Sequence, residues 1–586
     1  MSSSESLSSS ELEPHKLVRD SSEEYNDTFT HNRSMELTRT RTETARSLRE
    51  LGISQDIPQP DINMPPMQDP IFPEEYTLET ETGLVPVENL ERIGRVKSRL
   101  SRVSSQRTVV TGSDGEEKLD PDIEFVTFHK NDPENPHNWS MFRKWLYTFV
   151  YSWAVISAAY GSSSLAGGLP LICEKYNVSD EVAVLTVSLM VIGFLVGPLL
   201  WAPLSEQIGR RPVYFVSFGL YTLFNVPVAL SPNIGGVLVC RFLLGVFSSS
   251  ALTNVGASLV DLHNETRGMA IAIFSFCPYS GPVFGGIVNG FISVDSGRYD
   301  LMVWVNMAFA GVMWILMALI PETYAPVILK RRAKKLRAQT GNDKIMTEQE
   351  ATPMTFSEML NNNLYRPIKF CWQEPVLVLV CAFVALIYAL LYAFFFAYPV
   401  IFGELYGYKD DKIGLMYIPI LIGALLAVLL TPVLEKQYLA MKKRRTPTPE
   451  DRLVGAMIGS PFPCIALFIL GATSYRHIIW VGPASSGLAF GFGMVLIYYS
   501  LNNYIIDTYA KYAASALATK VFLRSAGGAA FPLFITQMYH GLGLQWASWL
   551  LAFLSLAMIV VPFSFYKFGG SLRAKLCKED YSAKLV

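Results

Sequence analysis

The chain has 586 residues, 51% of them hydrophobic and 12% aromatic, and its 49 Lys and Arg against 50 Asp and Glu leave a net charge of −1. Only 17% are charged, below the about 25% of an average soluble protein. Long apolar runs separated by short polar ones exclude an ordinary soluble globular fold and indicate a polytopic membrane protein, and no stretch points to a nucleic-acid partner.

The N-terminal stretch MSSSESLSSSELEPHK has no apolar core, so no cleavable signal peptide is expected. Residues 1–137 read as a disordered cytoplasmic tail rich in Ser, Thr, Glu, Arg and Pro. Within it, RIGRVKSRLSRVSSQR (92–107) mixes Ser with basic residues. It suits either kinases acting at Ser98, Ser101, Ser104 and Ser105 or contact with anionic lipid.

Twelve apolar segments follow, near 145–169, 182–204, 213–232, 236–258, 269–292, 302–321, 376–402, 413–433, 454–473, 478–504, 513–538 and 543–566. Each approaches or exceeds the ~20 residues that cross a bilayer. The even-to-odd loops carry Arg210, Arg211, Arg267, Lys442, Lys443, Arg444, Arg445 and Lys511. The opposite loops hold only Lys175, Arg298, Lys409, Lys412 and Arg476. That asymmetry predicts both termini in the cytoplasm. The expected fold is an all-α membrane protein: a first six-helix half (138–321), a basic cytoplasmic linker (322–375), a second six-helix half (376–566) and a short cytoplasmic C-terminal tail (567–586). No repeat of motif text links the halves, so their pseudo-symmetry rests on the count.

Several stretches carry candidate chemistry. GPLLWAPLSEQIGRRPV (197–213) ends one span and starts the next, with Glu206, Gly209, Arg210 and Arg211 in a short hairpin loop. Arg241 lies inside the fourth segment, where an arginine costs about 2.5–3.5 kcal/mol to insert and needs a partner or water. It could line a cavity and tune a proton-binding group, or snorkel to the interface. In the fifth segment Gly281 and Gly285 are four apart, as are Gly286 and Gly290. They make two faces open to close helix approach, and Pro278 and Pro282 favour a bend. Lys520 and Arg524 share a face of the eleventh segment near its cytoplasmic end, with Asp507 as a candidate counter-charge; these three are further candidate site residues.

No span carries an acid near its centre. The middle offers aromatic and amide groups instead: Asn225 and Asn254 in the first half, Tyr388, Tyr392 and Phe395 in the seventh segment, Tyr499, Asn502 and Asn503 in the tenth. Such walls suit apolar, flat or weakly cationic molecules. The seven cysteines have no CxxC spacing, and neither a disulfide framework nor a metal site is expected. No nucleotide-binding GxxxxGK[ST] loop or catalytic domain occurs, so the chain should be no enzyme, use no cofactor and draw on an ion gradient.

DPENPHNW (132–139), GPLLWAPLSEQIGRRP (197–212), RFLLGVFSSS (241–250), SGPVFGGIVNG (280–290), PETYAPVILKRRAKKLR (321–337), NNYIIDTYAKYAASALA (502–518) and FLRSAGGAAFPLF (522–534) together resemble the fungal twelve-span drug:proton antiporters of the major facilitator superfamily. The branch is that of the polyamine and multidrug exporters, and the resemblance covers about 125–570. It implies the major facilitator fold. It makes Glu206, Gly209, Arg210 and Arg211 a conformational latch with Asp261. It links Arg241 to proton coupling and places Gly281, Pro282, Gly285 and Gly286 in an antiporter motif. Ala202, Glu206 and Gln207 depart from the usual Gly, Asp and Arg of the loop, and Cys277 replaces a Gly. Phe396 stands where several polyamine-exporting relatives have an acid.

The resulting expectation is a proton-coupled antiporter in the plasma membrane, the vacuolar membrane being the alternative. It would export small organic molecules by alternating access, with protons and the bilayer as partners. A dedicated polyamine exporter and a non-transporting nutrient sensor of the same fold are the alternatives. Sensors tend to carry long C-terminal extensions, and this chain continues for only about 20 residues past its last span.

Overall fold

The computed structural model describes residues 123–576, except 265, 352–364, 446–447 and 510–512, together with four short strands upstream. All of these belong to one compact unit, Pro70–Val586. The first half comprises α1 (Met141–Ser163), α2 (Asp180–Ile208), α3 (Arg210–Leu230), α4 (Ile234–Leu262), α5 (Arg267–Ser296) and α6 (Tyr299–Leu319). The second comprises α7 (Pro375–Tyr406), α8 (Ile418–Arg444), α9 (Pro461–Thr473), α10 (Val481–Thr508), α11 (Ala513–Ala530) and α12 (Leu544–Leu576).

Eleven described helical segments are long and apolar enough to cross a membrane. The remaining predicted span, 513–538, packs against α7 and α2. It is divided, however, into α11 and a shorter helix, Pro532–Leu542, and it carries Lys520 and Arg524. The apolar side chains of the bundle point outward as well as inward: Leu319 and Leu429 are each 72% exposed. That distribution suits a hydrocarbon solvent, in which the backbone must satisfy its own polar groups as helix. The chain is a multi-pass membrane protein.

The two halves repeat one packing device. Gly245 of α4 lies against the backbone of Met190 and Gly193 in α2, and Gly491 of α10 against that of Ile420 and Ala424 in α8. A side chain at either glycine would drive the helices apart. The pairs α2/α4 and α8/α10 are six spans apart, so the pseudo-symmetry inferred from the count is visible as geometry.

The tail boundary needs correction. Residues 123–137 and four short strands before them are part of the described fold, which therefore starts upstream of 138. Upstream lie β1 (Glu79–Thr80), β2 (Leu84–Pro86), β3 (Val109–Thr111) and β4 (Glu117–Leu119). Then β5 (Glu124–Val126) pairs antiparallel with β2 and parallel with β7 (Ile345–Met346) of the linker. Next, β6 (Phe128–His129) pairs with β1. Phe128 is fully buried against Leu329, Ala333 and Ile345, and Arg332 bridges to Asp132 at 2.5 Å and Glu134 at 2.7 Å. The short apolar run IEFVTF (123–128) cannot build a core alone. It is ordered because the linker helix Ala325–Thr340 offers it an apolar face. The rest of the predicted disordered tail, the candidate kinase sites at 98–105 and residues 577–586 lie outside the described residues.

Candidate functional site

The hairpin loop builds a charged cluster at the basic-loop end of the bundle. Gly209 takes φ +102°, a left-handed conformation that favours glycine, and any β-carbon there would meet the Glu322 carboxylate. The turn delivers Arg210, nearly fully buried, to three partners. Its Nε reaches Asp261 Oδ2 at 3.3 Å, its Nη1 donates to Ser205 Oγ at 2.6 Å, and its guanidinium stacks 4.8 Å from the Tyr324 ring centroid. Arg211 does not join Asp261; it donates to the Ala318 carbonyl at the end of α6. Among the described residues the Glu206 carboxylate accepts no hydrogen bond, while its backbone carbonyl accepts from Gln349 of the linker. The residue that sequence reasoning left aside is Glu322. Its carboxylate accepts the backbone N–H groups of Arg210, Arg211, Thr323 and Tyr324. A carboxylate at a helix N-terminus satisfies orphan donors and the positive end of the helix dipole.

The second half holds a counterpart that no motif announced. Arg452, near the start of the ninth span, pairs with Asp507 of α10 at 2.9 Å and Glu435 of α8 at 3.1 Å, and stacks 3.5 Å from the Tyr438 ring centroid. Asp507 is therefore not the counter-charge of Lys520 and Arg524. The same network ties the halves together, because Glu435 lies against Gly268 at the start of α5. Tyr499, predicted as a cavity residue, donates to Glu435 at 2.6 Å and packs on Ile271 and Ala272 of α5. The basic-loop end is thus closed.

The opposite end is open. A cavity of about 390 Å³ lies between the halves there. Phe395, Phe396, Pro399 and Tyr417 line it, with Gly286 and Gly290 of α5, and Asp180, Glu181 and Asp410 at its rim. The fifth-span glycines divide their work as their spacing implies. Gly281 and Gly285 face α1, where added β-carbons would strike Ala159, Ile156 and Ser163. Gly286 faces the second half, 2.9 Å from Tyr417 for an added β-carbon, and Gly290 faces the backbone of Asp410. The Pro282 carbonyl accepts from Ser163 Oγ of α1 at 2.8 Å.

Below the cavity floor the bundle is aromatic and cationic. Tyr388 and Tyr392 stack edge to face at 5.2 Å, and Tyr279 of α5 meets Tyr388 at 5.9 Å and Tyr498 of α10 at 5.0 Å. Tyr392 crosses between the halves to Ser162 Oγ at 2.7 Å. Lys520 and Arg524 are buried here and do not snorkel. Lys520 donates to Asn502 and Tyr498. Asn503 bonds back to the Tyr499 carbonyl.

Two predicted cavity amides lie elsewhere. Asn225 is fully buried between Tyr221 and Asn306, tying α3 to α6. Asn254 ties α4 to Ser205 and Trp201 of α2. Neither lines the cavity: Asn254 spends both polar atoms on α2, and Asn225 donates to the Tyr221 carbonyl of its own helix while accepting from Asn306 of α6. Arg241 is also away from the cavity walls. It is buried and donates to the carbonyls of Thr186 at 2.8 Å, Gly161 at 2.9 Å and Ser162 at 3.2 Å, and to Ser164 Oγ at 3.2 Å. A cation at the carbonyl end of α1 closes that helix electrostatically and braces α1, α2 and α4.

Known proteins agree with this architecture. The sequence profile of the Major Facilitator Superfamily matches residues 151–532. A Candida glabrata protein named "Multidrug transporter TPO3" is 60% identical over 93% of this chain and 92% of its own length. A Saccharomyces cerevisiae protein named "Polyamine transporter 3" is 61% identical over the same shares. Another from that yeast, "Polyamine transporter 2", is 58% identical over 96% of each chain. Among solved structures, the proton:xylose symporter XylE superposes with a TM-score of 0.51 at 15% identity, over 73% of this chain and 96% of its own, a likeness of fold alone. The chain belongs to the major facilitator superfamily.

Proposed function

We propose that the chain is a proton-coupled antiporter that exports small organic molecules, including drugs and polyamines, across the plasma membrane, with both termini in the cytoplasm. The observation that carries this reading is the cavity between the halves, open at the end with few basic residues and closed at the basic-loop end. With the basic loops in the cytoplasm, this is an outward-facing state. Alternating access requires the reverse state, and the glycine face of α5 at Tyr417 and Asp410 is where the halves would seal.

The names of the relatives supply the substrate classes. The aromatic walls suit apolar drugs, and the rim carboxylates Asp180, Glu181 and Asp410 suit a polycation. Coupling to protons is carried over from the resemblance. The test is transport in proteoliposomes with an imposed pH gradient, comparing spermidine with an azole-type drug. An acidic lumen should drive accumulation of substrate, and a protonophore should abolish it. Accumulation driven only by an alkaline lumen, or binding of both compounds without transport, would sink the reading.

A further inference from the structure

The last helix of the connection between the halves, Arg366–Gln373, is held on one face and bare on the other. Only Glu374 separates it from α7, so it lies at the basic-loop surface where that span leaves the bilayer. Its inner face is fixed. Phe370 is 5% exposed and its ring lies 6.2 Å from that of Tyr509, while the Pro367 carbonyl accepts from Thr519 Oγ1 of α11 at 3.0 Å. Glu374 closes the same corner by accepting from the Tyr509 hydroxyl at 3.4 Å.

The outer face is apolar. Tyr365, Ile368 and Trp372 follow at spacings of three and four residues, which set them in one row along a helix. They are 60%, 42% and 86% exposed, and Trp372 is the most exposed large apolar side chain among the described residues. Arg366 and Lys369, three apart, form the neighbouring row, and Lys369 is exposed. The helix carries these two cations and no acid. A short helix with a Trp-bearing apolar row and a basic flank, joined to a span, lies flat in the membrane interface. Its rings reach the upper acyl chains and its cations stay at headgroup level.

The geometry points to a docking site for an anionic phospholipid of the cytoplasmic leaflet on the helix Arg366–Gln373. Lys369, with Arg366 beside it, meets the negative headgroup, and Tyr365, Ile368 and Trp372 lie against the acyl chains. Charge selects the lipid: two cations without an acid complement a net negative headgroup and gain little from a zwitterionic one. The leaflet follows from the reading that the basic loops face the cytoplasm. Lipid held here fixes the end of the connection at the corner where α7 meets α11.

The test is fluorescence of the purified full-length chain in phosphatidylcholine nanodiscs, with brominated phosphatidylserine or brominated phosphatidylcholine added at equal mole fraction. Subtracting the emission of Trp372→Phe from that of the wild type isolates Trp372, and a side chain this exposed can be changed without disturbing the packing. Both brominated lipids should quench this signal, the serine lipid at least about twofold more strongly. Arg366→Gln combined with Lys369→Gln should bring the serine lipid down to the phosphatidylcholine level. Quenching by aqueous iodide and by neither lipid puts the face in water and overturns the proposal. Protection from iodide and from both lipids puts a second copy of the chain there and overturns it too. Equal quenching by the two lipids, or a serine preference that the double substitution leaves unchanged, overturns the headgroup assignment. A second readout needs no subtraction. Mass spectrometry of protein released from discs containing unmodified phosphatidylserine should find fewer retained molecules of it on the double variant than on the wild type, and equal retention overturns the proposal. Both leaflets of a nanodisc carry the added lipid and no transport is measured. Failure of the topology would therefore change the leaflet and not the site, and failure of the antiporter reading would leave these results untouched.

Discussion

Glu322 Oε1 accepts the backbone N–H of Arg210 at 2.9 Å. Its other oxygen takes the N–H of Arg211 at 3.2 Å, so one carboxylate holds the whole entry into α3. This fixes the turn at Gly209 and aims the Arg210 side chain at Asp261. The cluster is therefore three-cornered: a salt bridge holds the arginine side chain, and a second acid holds its backbone. Charge-assisted hydrogen bonds of this kind are each worth about 1.5–3 kcal/mol. Glu322→Ala should lower stability by about 2–4 kcal/mol, and Glu322→Gln, which keeps one acceptor oxygen, by roughly half that. Thermal unfolding of the purified protein checks both. Equal melting of Glu322→Ala and wild type would show that the contact contributes nothing.

Arg241 presents a choice between bracing and coupling. Its four hydrogen bonds go to α1, α2 and the segment after α1, and none goes to an acid. Removing it leaves buried carbonyls with lost partners, each costing about 1–3 kcal/mol. Arg241→Ala should therefore reduce thermal stability as well as transport. Arg241→Lys keeps the charge but cannot span the same fan of acceptors, and should fall between. A coupling role predicts more: at full surface expression, Arg241→Lys transport should lose its dependence on the pH gradient. Unchanged gradient dependence in that variant leaves Arg241 as a brace only.

The glycine face of α5 gives a sharper functional prediction. An added β-carbon at Gly286 would come within 2.9 Å of the Tyr417 ring, and one at Gly290 would run into the Asp410 backbone. The nearest atoms to a β-carbon at either glycine belong to the second half, so larger residues should leave the first half folded. Gly286→Leu should hold the halves apart at this end. Cysteine labelling of cavity positions should then rise while transport falls at least about tenfold, equivalent to 1.4 kcal/mol or more in the closing equilibrium. Transport at the wild-type rate would remove the sealing role.

The spans and the Arg210–Asp261 pair were legible in the sequence for different reasons. Membrane helices declare themselves through a long, local hydropathy signal, and even the divided segment 513–538 was found that way. The pair Arg210 and Asp261 came through resemblance. Glu322 was passed over because it binds backbone N–H groups 112 and 111 residues away, which no side-chain pairing rule anticipates. The Arg452 cluster was hidden by spacing. Glu435 and Arg452 are 17 residues apart, whereas Glu206 and Arg210 share one short turn. Asn225 and Asn254 were misassigned because an amide in an apolar helix can line a cavity or tie two helices, and only packing decides. Lys520 and Arg524 were placed near an interface where snorkelling is easy. Their burial depends on how α5, α7 and α10 close over α11, and local pattern does not encode that.

His263 supplies a pH prediction outside the spans. It follows α4 and is enclosed by Thr148 and Thr266, each 2.7 Å from a ring nitrogen, and by the Trp145 ring at 4.9 Å. Burial, followed by the charges of Lys144 and His137, pushes its pKa down to about 4 from 6.5. Between those values the unfolded chain binds a proton that the folded chain refuses, so stability must rise with pH across this window. The contribution is complete above about pH 6.5 and lost as pH falls toward 4, with a ceiling of roughly 3 kcal/mol and about 2 kcal/mol gone by pH 5. His263→Gln can still hydrogen-bond to the threonine hydroxyls but cannot titrate. It should melt at a temperature close to wild type at pH 5, and its melting temperature should change less between pH 7.5 and pH 5. Parallel pH profiles for the two proteins would mean that another group carries the acid sensitivity.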